Sequence, residues 1–374
     1  MKFSCNQKDF SSAVTNVQRA VSTKSNLPTL EGILIKAEED RIVLCGYDLE
    51  IGITTFIKCN VQKMGSIVVS AKLLGDIVRR LPENTVDIEV DEKMIVYIKS
   101  GQAEYHIVGI SSEEYPELPK FETLDNISIN SGVLKTMIKQ TIFAISDNFS
   151  KPVYTGSLFD IEDNVFKIVS IDGYRMAIRQ ESVQYDQNSK FVVPGKTLSE
   201  ILKLISDDEK NVEMVVGQRH AIFTIENYSI ISRLIEGNFL DYKTTVPPEV
   251  KTEMVVKTRS FIASVERMSL LTSDKIQSPI RCMIGDNQIK LFCSTAIGKA
   301  NDEIMADVSG ENVEIGLNSR YLLDALKNTE TDEIKVQLNG SLSPMKIMPL
   351  EGESFLFLVV PMRFKQWKKY KKFI

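Results

Sequence analysis

Histidine is almost missing from this chain. His106 and His220 are the only two, both sit in alternating apolar–polar runs, and neither lies near a cysteine. A His-built metal centre or a Cys–His nucleophile therefore has no material. Cysteine is scarce too: Cys5, Cys45, Cys59, Cys282 and Cys293 are odd in number and never spaced Cys-Xaa-Xaa-Cys. That argues against a disulfide framework and for reduced core thiols. No apolar run reaches the roughly 20 residues a membrane span needs. Met1-Lys-Phe-Ser-Cys5 enters a strand-like pattern directly, without a leader signature, so a cytoplasmic location is expected. No Gly-Xaa-Ser-Xaa-Gly elbow occurs. Val193-Pro-Gly-Lys-Thr197 has the ending of a phosphate-binding loop, but Lys190 stands where that loop needs its first glycine, so a helix start is expected there. Asp207-Asp208-Glu209 follows a helical pattern and reads as a solvated turn. No catalytic residue, metal or cofactor is expected. Excess positive charge is also lacking: the net charge is −5, so a nucleic-acid partner would have to meet a local basic surface.

What the chain does have is the composition of a globular protein, 43% hydrophobic and 25% charged over 374 residues, enough for two or three cores. It also has a period. Val68–Leu81, Val192–Ile205 and Gly316–Thr329 each begin 124 residues after the last. Each reads as a strand end, a small or capping residue, then an amphipathic helix. The apolar stripes are Leu74, Ile77, Val78, Leu81; Leu198, Ile201, Leu202, Ile205; and Leu322, Ala325, Leu326. Basic residues recur in register as Lys72 and Arg79, Lys196 and Lys203, Arg320 and Lys327, with Arg80 beside the first pair. A spacing of seven is nearly two helical turns, so each pair lies along one stripe.

A second helix opens each copy. Its stripe is Phe10, Val14, Val17, Val21 in the first and Leu134, Ile138, Thr141, Ile145, with Lys135 and Lys139, in the second. In the third it is Phe261, Val265, Met268, offset by a few residues. Between the helices run short alternating strands such as Gly32–Lys36, Arg41–Cys45, Val86–Val90, Met94–Ile98, His220–Thr224 and Ile334–Leu338, separated by polar turns. The expected fold class is α+β: three repeated domains, each with two helices on antiparallel sheet, at 1–125, 126–249 and 250–374. Prolines at Pro116, Pro119, Pro247 and Pro248 mark the boundaries. Three such copies could line a hole with weakly basic helices, which suits a duplex held without sequence reading.

Two segments stand out from the repeat. Val169–Ile178 runs as a buried strand through an Asp172-Gly173 turn to Arg175, an arginine among apolar neighbours. It must find a carboxylate or line a groove. Leu358–Arg363 ends in a second such arginine. The earlier counterpart of the first segment, Leu44–Ile53, aligns Asp48 with Asp172.

With the triple repeat, Leu27–Ile35, Asp48–Ile53, Asp172–Ala177, Glu236–Tyr242 and Pro361–Arg363, the chain resembles the bacterial beta sliding clamps, the processivity subunits of the replicative polymerase, over residues 1 to about 364. The resemblance implies the DNA clamp fold as a head-to-tail homodimer, a ring around double-stranded DNA. It implies as partners a clamp loader, the polymerase alpha subunit, and other polymerases and repair proteins docking by short hydrophobic peptides. Position by position, it puts the peptide groove at Tyr154, Ile171, Gly173, Tyr174, Arg175, Met176, Leu240, Thr244, Thr245, Leu342, Pro344, Leu358, Val360, Pro361, Met362 and Arg363. It puts DNA contacts at Lys24, Asn148 and Lys151, joined by the helical residues Lys72, Arg79, Arg80, Lys135, Lys139, Lys196, Lys203, Arg320 and Lys327. The dimer contact falls on Tyr105 and Ile107 against Leu270 and Leu271. Three positions depart from the family pattern, Tyr174 for its usual His, Leu240 for Pro and Thr244 for Arg, and these bear on peptide preference. The chain also adds Phe364–Ile374, with five lysines and four aromatics, beyond the family's usual end. That segment reads as a solvated tail, with extra DNA contact or folding back into the groove as alternatives. A metal-dependent DNA enzyme and a scaffold that never meets DNA remain the competing readings.

Overall fold

The computed structural model describes residues 1–82, 84–119, 126–185, 187–206, 208–272 and 278–363. The tail Phe364–Ile374, the end of the first boundary stretch (120–125) and Asp207 lie outside these. Among the described residues there are six α-helices: α1 (Gln7–Val17), α2 (Ala71–Val78), α3 (Ser131–Ile142), α4 (Gly195–Leu204), α5 (Thr258–Ser269) and α6 (Ser319–Lys327). Asparagines start three of them. The Asn6 side chain accepts from the N–H groups of Lys8 and Asp9, and Asn130 from that of Val133. Asn318 accepts from those of Arg320 and Tyr321. Such caps satisfy amides that the first helical turn leaves without partners. The helices end earlier than the apolar spacing indicates. Val21, Leu81, Ile145 and Ile205 fall just beyond α1, α2, α3 and α4; Leu81 and Ile205 are still buried, whereas Val21 and Ile145 are only partly so.

The chain folds as two compact units, Met1–Lys135 with Lys196–Ile235, and Thr136–Gly195 with Glu236 onward. The middle repeat is thus divided between them.

In the first unit an eight-stranded antiparallel sheet runs Asn126–Asn130, Asn211–Val216, His220–Ile225, Tyr228–Arg233, Ile51–Lys58, Arg41–Tyr47, Gly32–Ala37, Gly65–Ser70. Its fourth and fifth strands belong to different repeats and pair Tyr228 with Thr55 and Ile230 with Ile53. A five-stranded sheet runs Asn60–Lys63, Lys2–Asn6, Thr85–Val90, Ile95–Ser100, Ala103–Val108. Helices α1 and α2 bury Phe10, Val14, Val17, Leu74, Ile77 and Val78, and the Gln7 side chain donates to the Val78 carbonyl at 2.7 Å. Gly46 lets α1 approach the sheet: a Cβ there would lie 2.3 Å from the Val17 carbonyl oxygen.

The second unit repeats the scheme. Its nine-stranded sheet runs Ser189–Pro194, Gly156–Glu162, Val165–Ile171, Arg175–Ser182, Phe355–Val359, Met345–Met348, Glu333–Leu338, Thr252–Lys257, Asp307–Gly310. A four-stranded sheet runs Gly298–Met305, Gln288–Thr295, Ile280–Gly285, Val313–Leu317. Two repeats again join edge to edge, Arg175 pairing with Val359 and Ala177 with Phe357. The core beneath includes Phe261, Val265, Ile280, Ile315, Leu322, Leu326 and Phe357. Each such fully buried side chain contributes about 1.5–3 kcal/mol. Asp163 and Asn164 both take positive φ, so Glu162–Val165 closes its hairpin with a twist-matched two-residue turn.

Candidate functional site

The Asp172 turn is built by its own carboxylate. One oxygen accepts from the N–H groups of Tyr174 (2.8 Å) and Arg175 (3.0 Å), and the other from Arg175 Nε at 2.9 Å. Gly173 supplies the left-handed residue this turn requires, at φ +92°. The first repeat makes the same turn. Asp48 accepts from the N–H groups of Glu50 (2.9 Å) and Ile51 (2.7 Å), with Leu49 at φ +76° in the glycine's place. There the second carboxylate oxygen takes a lysine from a helix, Lys196.

Arg175 resolves the choice its sequence posed. It is 7% exposed and is held by two carboxylates, Asp172 and Asp324 of α6. Its Cζ lies 4.7 Å from the ring centre of Tyr321 and 5.5 Å from that of Phe143. An arginine so enclosed is neutralised and stacked, and acts on its surroundings by holding them in place. Asp324, Tyr321 and Phe143 were not identified from sequence. Asp324 and Tyr321 lie in the α6 pattern that was, but nothing in that pattern says what faces them.

Around this cluster the second unit brings together much of the expected groove. Tyr174 is 60% exposed and stacks on Tyr321 with ring centres 5.7 Å apart. The Tyr174 carbonyl accepts from Val360 N–H and the Gly316 carbonyl from Met362 N–H, both at 2.8 Å, which fixes Val360–Met362 beside the turn. Pro344 precedes Met345, the register partner of Val359. Tyr154 packs edge-on to Phe239, next to Leu240. Thr244 and Thr245 cap back onto the Asp241 carbonyl. Ile171, Met176 and Leu358 lie beneath the surface, with Met176 opposite Leu358 in the sheet, and so form floor and not wall. Gly173, Leu240, Thr244, Thr245, Leu342, Val360 and Arg363 are exposed; Tyr154, Pro344, Pro361 and Met362 are half-buried. The result is an apolar strip with few polar anchors, suited to a short apolar segment.

The basic helix residues are less free than their spacing implies. In the first unit Arg79 and Arg80 share Asp76, Lys135 meets Asp208 at 2.9 Å, Lys196 meets Asp48 and Lys203 meets Glu200 at 2.7 Å. The Arg79 hydrogen bond holds the Asp76 carboxyl below its ordinary range. In the second unit Lys139 meets Glu330, Lys327 meets Glu266 at 2.7 Å, and Arg320 is also engaged. Lys24 and Lys72 are exposed and carry no ion pair among the described residues. Lys151 lies 5.7 Å from the Tyr154 ring centre, and Asn148 accepts from Ser150 N–H. Where both partners are exposed, as in Arg79–Asp76, Lys135–Asp208, Lys139–Glu330 and Lys327–Glu266, such a pair contributes about 0–1 kcal/mol, so a phosphate can displace the carboxylate. The Glu200 and Asp48 carboxylates are more enclosed.

Among the edge strands of the described sheets, two carry exposed apolar side chains, one in the first repeat and one in the third. Ala103–Val108 bonds only to Ile95–Ser100, and Gly298–Met305 only to Gln288–Thr295. Apolar side chains stand exposed at both: Tyr105 and Val108 on the first, Met305 with nearby Ile297 and Leu270 on the second. Ile107 is half-buried, and Leu271 packs on the core and faces Gly298. Val108, Ile297 and Met305 were missed in the sequence, where alternation alone does not distinguish an open edge from a paired one.

Three models of the DNA polymerase III beta subunit match in chain order: the N-terminal domain over residues 1–119, the central domain over 128–241 and the C-terminal domain over 243–363. The beta sliding clamp of Bacillus subtilis (strain 168) is 32% identical over 376 residues, covering 97% of this chain and 100% of that protein. The crystal structure of the DNA polymerase sliding clamp from Bacillus subtilis superposes with a TM-score of 0.95 at 32% identity, over 98% of this chain and all of that one. A putative DNA polymerase III beta subunit from Eubacterium rectale gives 0.93 at 34% identity, over 97% of this chain and all of that one. With three domain models in order and near-complete coverage at this identity, the chain belongs to the DNA polymerase III beta subunit family, the beta sliding clamps.

Proposed function

We propose that this protein is a sliding clamp of DNA replication: a head-to-tail homodimeric ring that encircles double-stranded DNA without reading its sequence and tethers the polymerase to it. The observation that carries this is the recurrence of one junction. Strand Ile51–Lys58 pairs with Tyr228–Arg233, and its counterpart 124 residues on, Arg175–Ser182, pairs with Phe355–Val359. The next counterpart is Gly298–Met305, an open edge. The strand corresponding to Tyr228–Arg233 in the first repeat is Ala103–Val108, the other open edge. The two missing halves of a third junction thus sit on one chain, and a second copy completes them twice. Tyr105 and Ile107 would meet Leu270 and Leu271 there, around an apolar centre. In such a ring the basic positions of the helices give affinity through phosphates alone.

The strip around Tyr174 serves as the docking groove. Its partners are the polymerase alpha subunit, the clamp loader, and other polymerases and repair proteins that present short hydrophobic peptides. The protein acts by encirclement and docking, with no bond chemistry of its own, in the cytoplasm where DNA is replicated. Fluorescence polarisation with a labelled Gln-Leu-Xaa-Leu-Phe peptide tests the groove. Binding by the wild type that falls at least tenfold in Tyr174→Ala supports it. Binding that ignores Tyr174→Ala, or no binding at all, contradicts it.

A further inference from the structure

Lys346 is the one lysine among the described residues that is buried. It is 7% exposed, and its side chain makes no hydrogen bond or ion pair with any described residue. Burial lowers its affinity for a proton, with no carboxylate to offset the effect. Its neighbours on the strand, Met345 and Ile347, point into the core that also takes Phe357 and Val359. Lys346 therefore stands on the opposite face of the sheet. Its cross-strand partners are Gln337 on one side and Leu358 on the other, and Leu358 in turn pairs with Met176. One row thus runs from Gln337, whose amide donates to Glu253 at 2.9 Å, through Lys346 to the apolar groove floor. The aliphatic stem is packed along that floor and the ammonium reaches its surface, where no carboxylate of the described residues meets it.

We propose that Lys346 is a specificity-determining cation of the docking groove, and that it recognises a carboxylate on the bound peptide. The inference rests on the groove reading given above. Segments that dock here would carry an acidic side chain or a free C-terminus next to their apolar anchors. The ammonium has no carboxylate among the described residues and its stem is packed beside an apolar floor, so a carboxylate brought against it by a docked segment, which excludes water, gains a charge-assisted hydrogen bond.

The experiment uses the full chain and three labelled peptides with the same two apolar anchors: one with a flanking aspartate, one with asparagine in its place, and one amidated at its C-terminus. The wild type is expected to prefer a carboxylate-bearing peptide to its neutral counterpart by about tenfold, the size of one charge-assisted contact. The aspartate–asparagine and acid–amide pairs separate the two sources of the carboxylate. Lys346→Met, which keeps the packed stem, removes the preference and leaves neutral peptides bound as before; Lys346→Arg keeps it. Equal losses for all peptides in Lys346→Met would make the residue mere packing and overturn the proposal, as would an unchanged preference. If no peptide binds the wild type, or binding ignores Tyr174→Ala, the groove reading fails and the proposal falls with it. Intact groove binding with no carboxylate preference refutes the role of Lys346 alone.

Discussion

The Arg175 guanidinium donates to the Asp324 carboxylate 149 positions further on, and so ties the strand Arg175–Ser182 to helix α6. The same guanidinium closes the Asp172 turn. One side chain thus holds a strand end, a turn and a helix that carries two of the expected DNA contacts, Arg320 and Lys327.

Arg175→Ala is therefore expected to cost stability first. Removing the cation strands Asp172 and Asp324, at about 3 kcal/mol, the low end for a broken buried pair because Asp324 still meets water. Chemical denaturation measures this. Asp324→Asn should cost less, and the double variant should be non-additive. Additive effects would show that the pair does not couple strand and helix. Loss of peptide binding in Arg175→Ala alone then reports a collapsed turn as much as a lost contact; the exposed Tyr174 is the cleaner probe.

Leu49 occupies, at φ +76°, the turn position that Gly173 holds in the next repeat. A left-handed conformation costs a non-glycine residue about 1–2 kcal/mol. Leu49→Gly is expected to be neutral or stabilising by up to about 1 kcal/mol, net of glycine's larger unfolded-state entropy, although it deletes an apolar side chain. Thermal denaturation checks it. A clear loss of stability would mean that the Leu49 side chain contributes more than its backbone costs.

What was legible in the sequence followed from local chemistry. The 124-residue period, the stripes of α2, α4 and α6, and the helix start at Gly195 all hold, because amphipathic spacing and turn residues act within a few positions. The strand joining of one repeat to the next was not legible. Ile51–Lys58 and Gly298–Met305 stand at equivalent places in the first and third repeats, yet one is paired on both sides and the other on one. Nor was the partner of Arg175, since a charge in an apolar run states a need without naming what meets it. The basic register of the helices was real, but Asp48, Asp76, Asp208, Glu200 and Glu266 had to be seen in space before its strength could be judged.

Leu270 is 80% exposed beside an open strand edge, which a monomer has little reason to tolerate. Leu270→Asp is expected to shift the protein from dimer to monomer in sedimentation velocity, with the circular dichroism spectrum unchanged. A dimer of undiminished affinity would put the contact elsewhere.

The most direct test of the ring is retention on DNA. The protein, loaded with a clamp-loading complex and ATP onto nicked circular duplex, should remain bound through gel filtration and be lost when the circle is cut. Charge reversal at Lys72, Lys196 and Arg320 should shorten retention, most for Lys72, which meets no carboxylate among the described residues. Equal retention on circular and linear DNA would contradict encirclement, because a protein held by surface contacts alone does not distinguish a closed track from an open one.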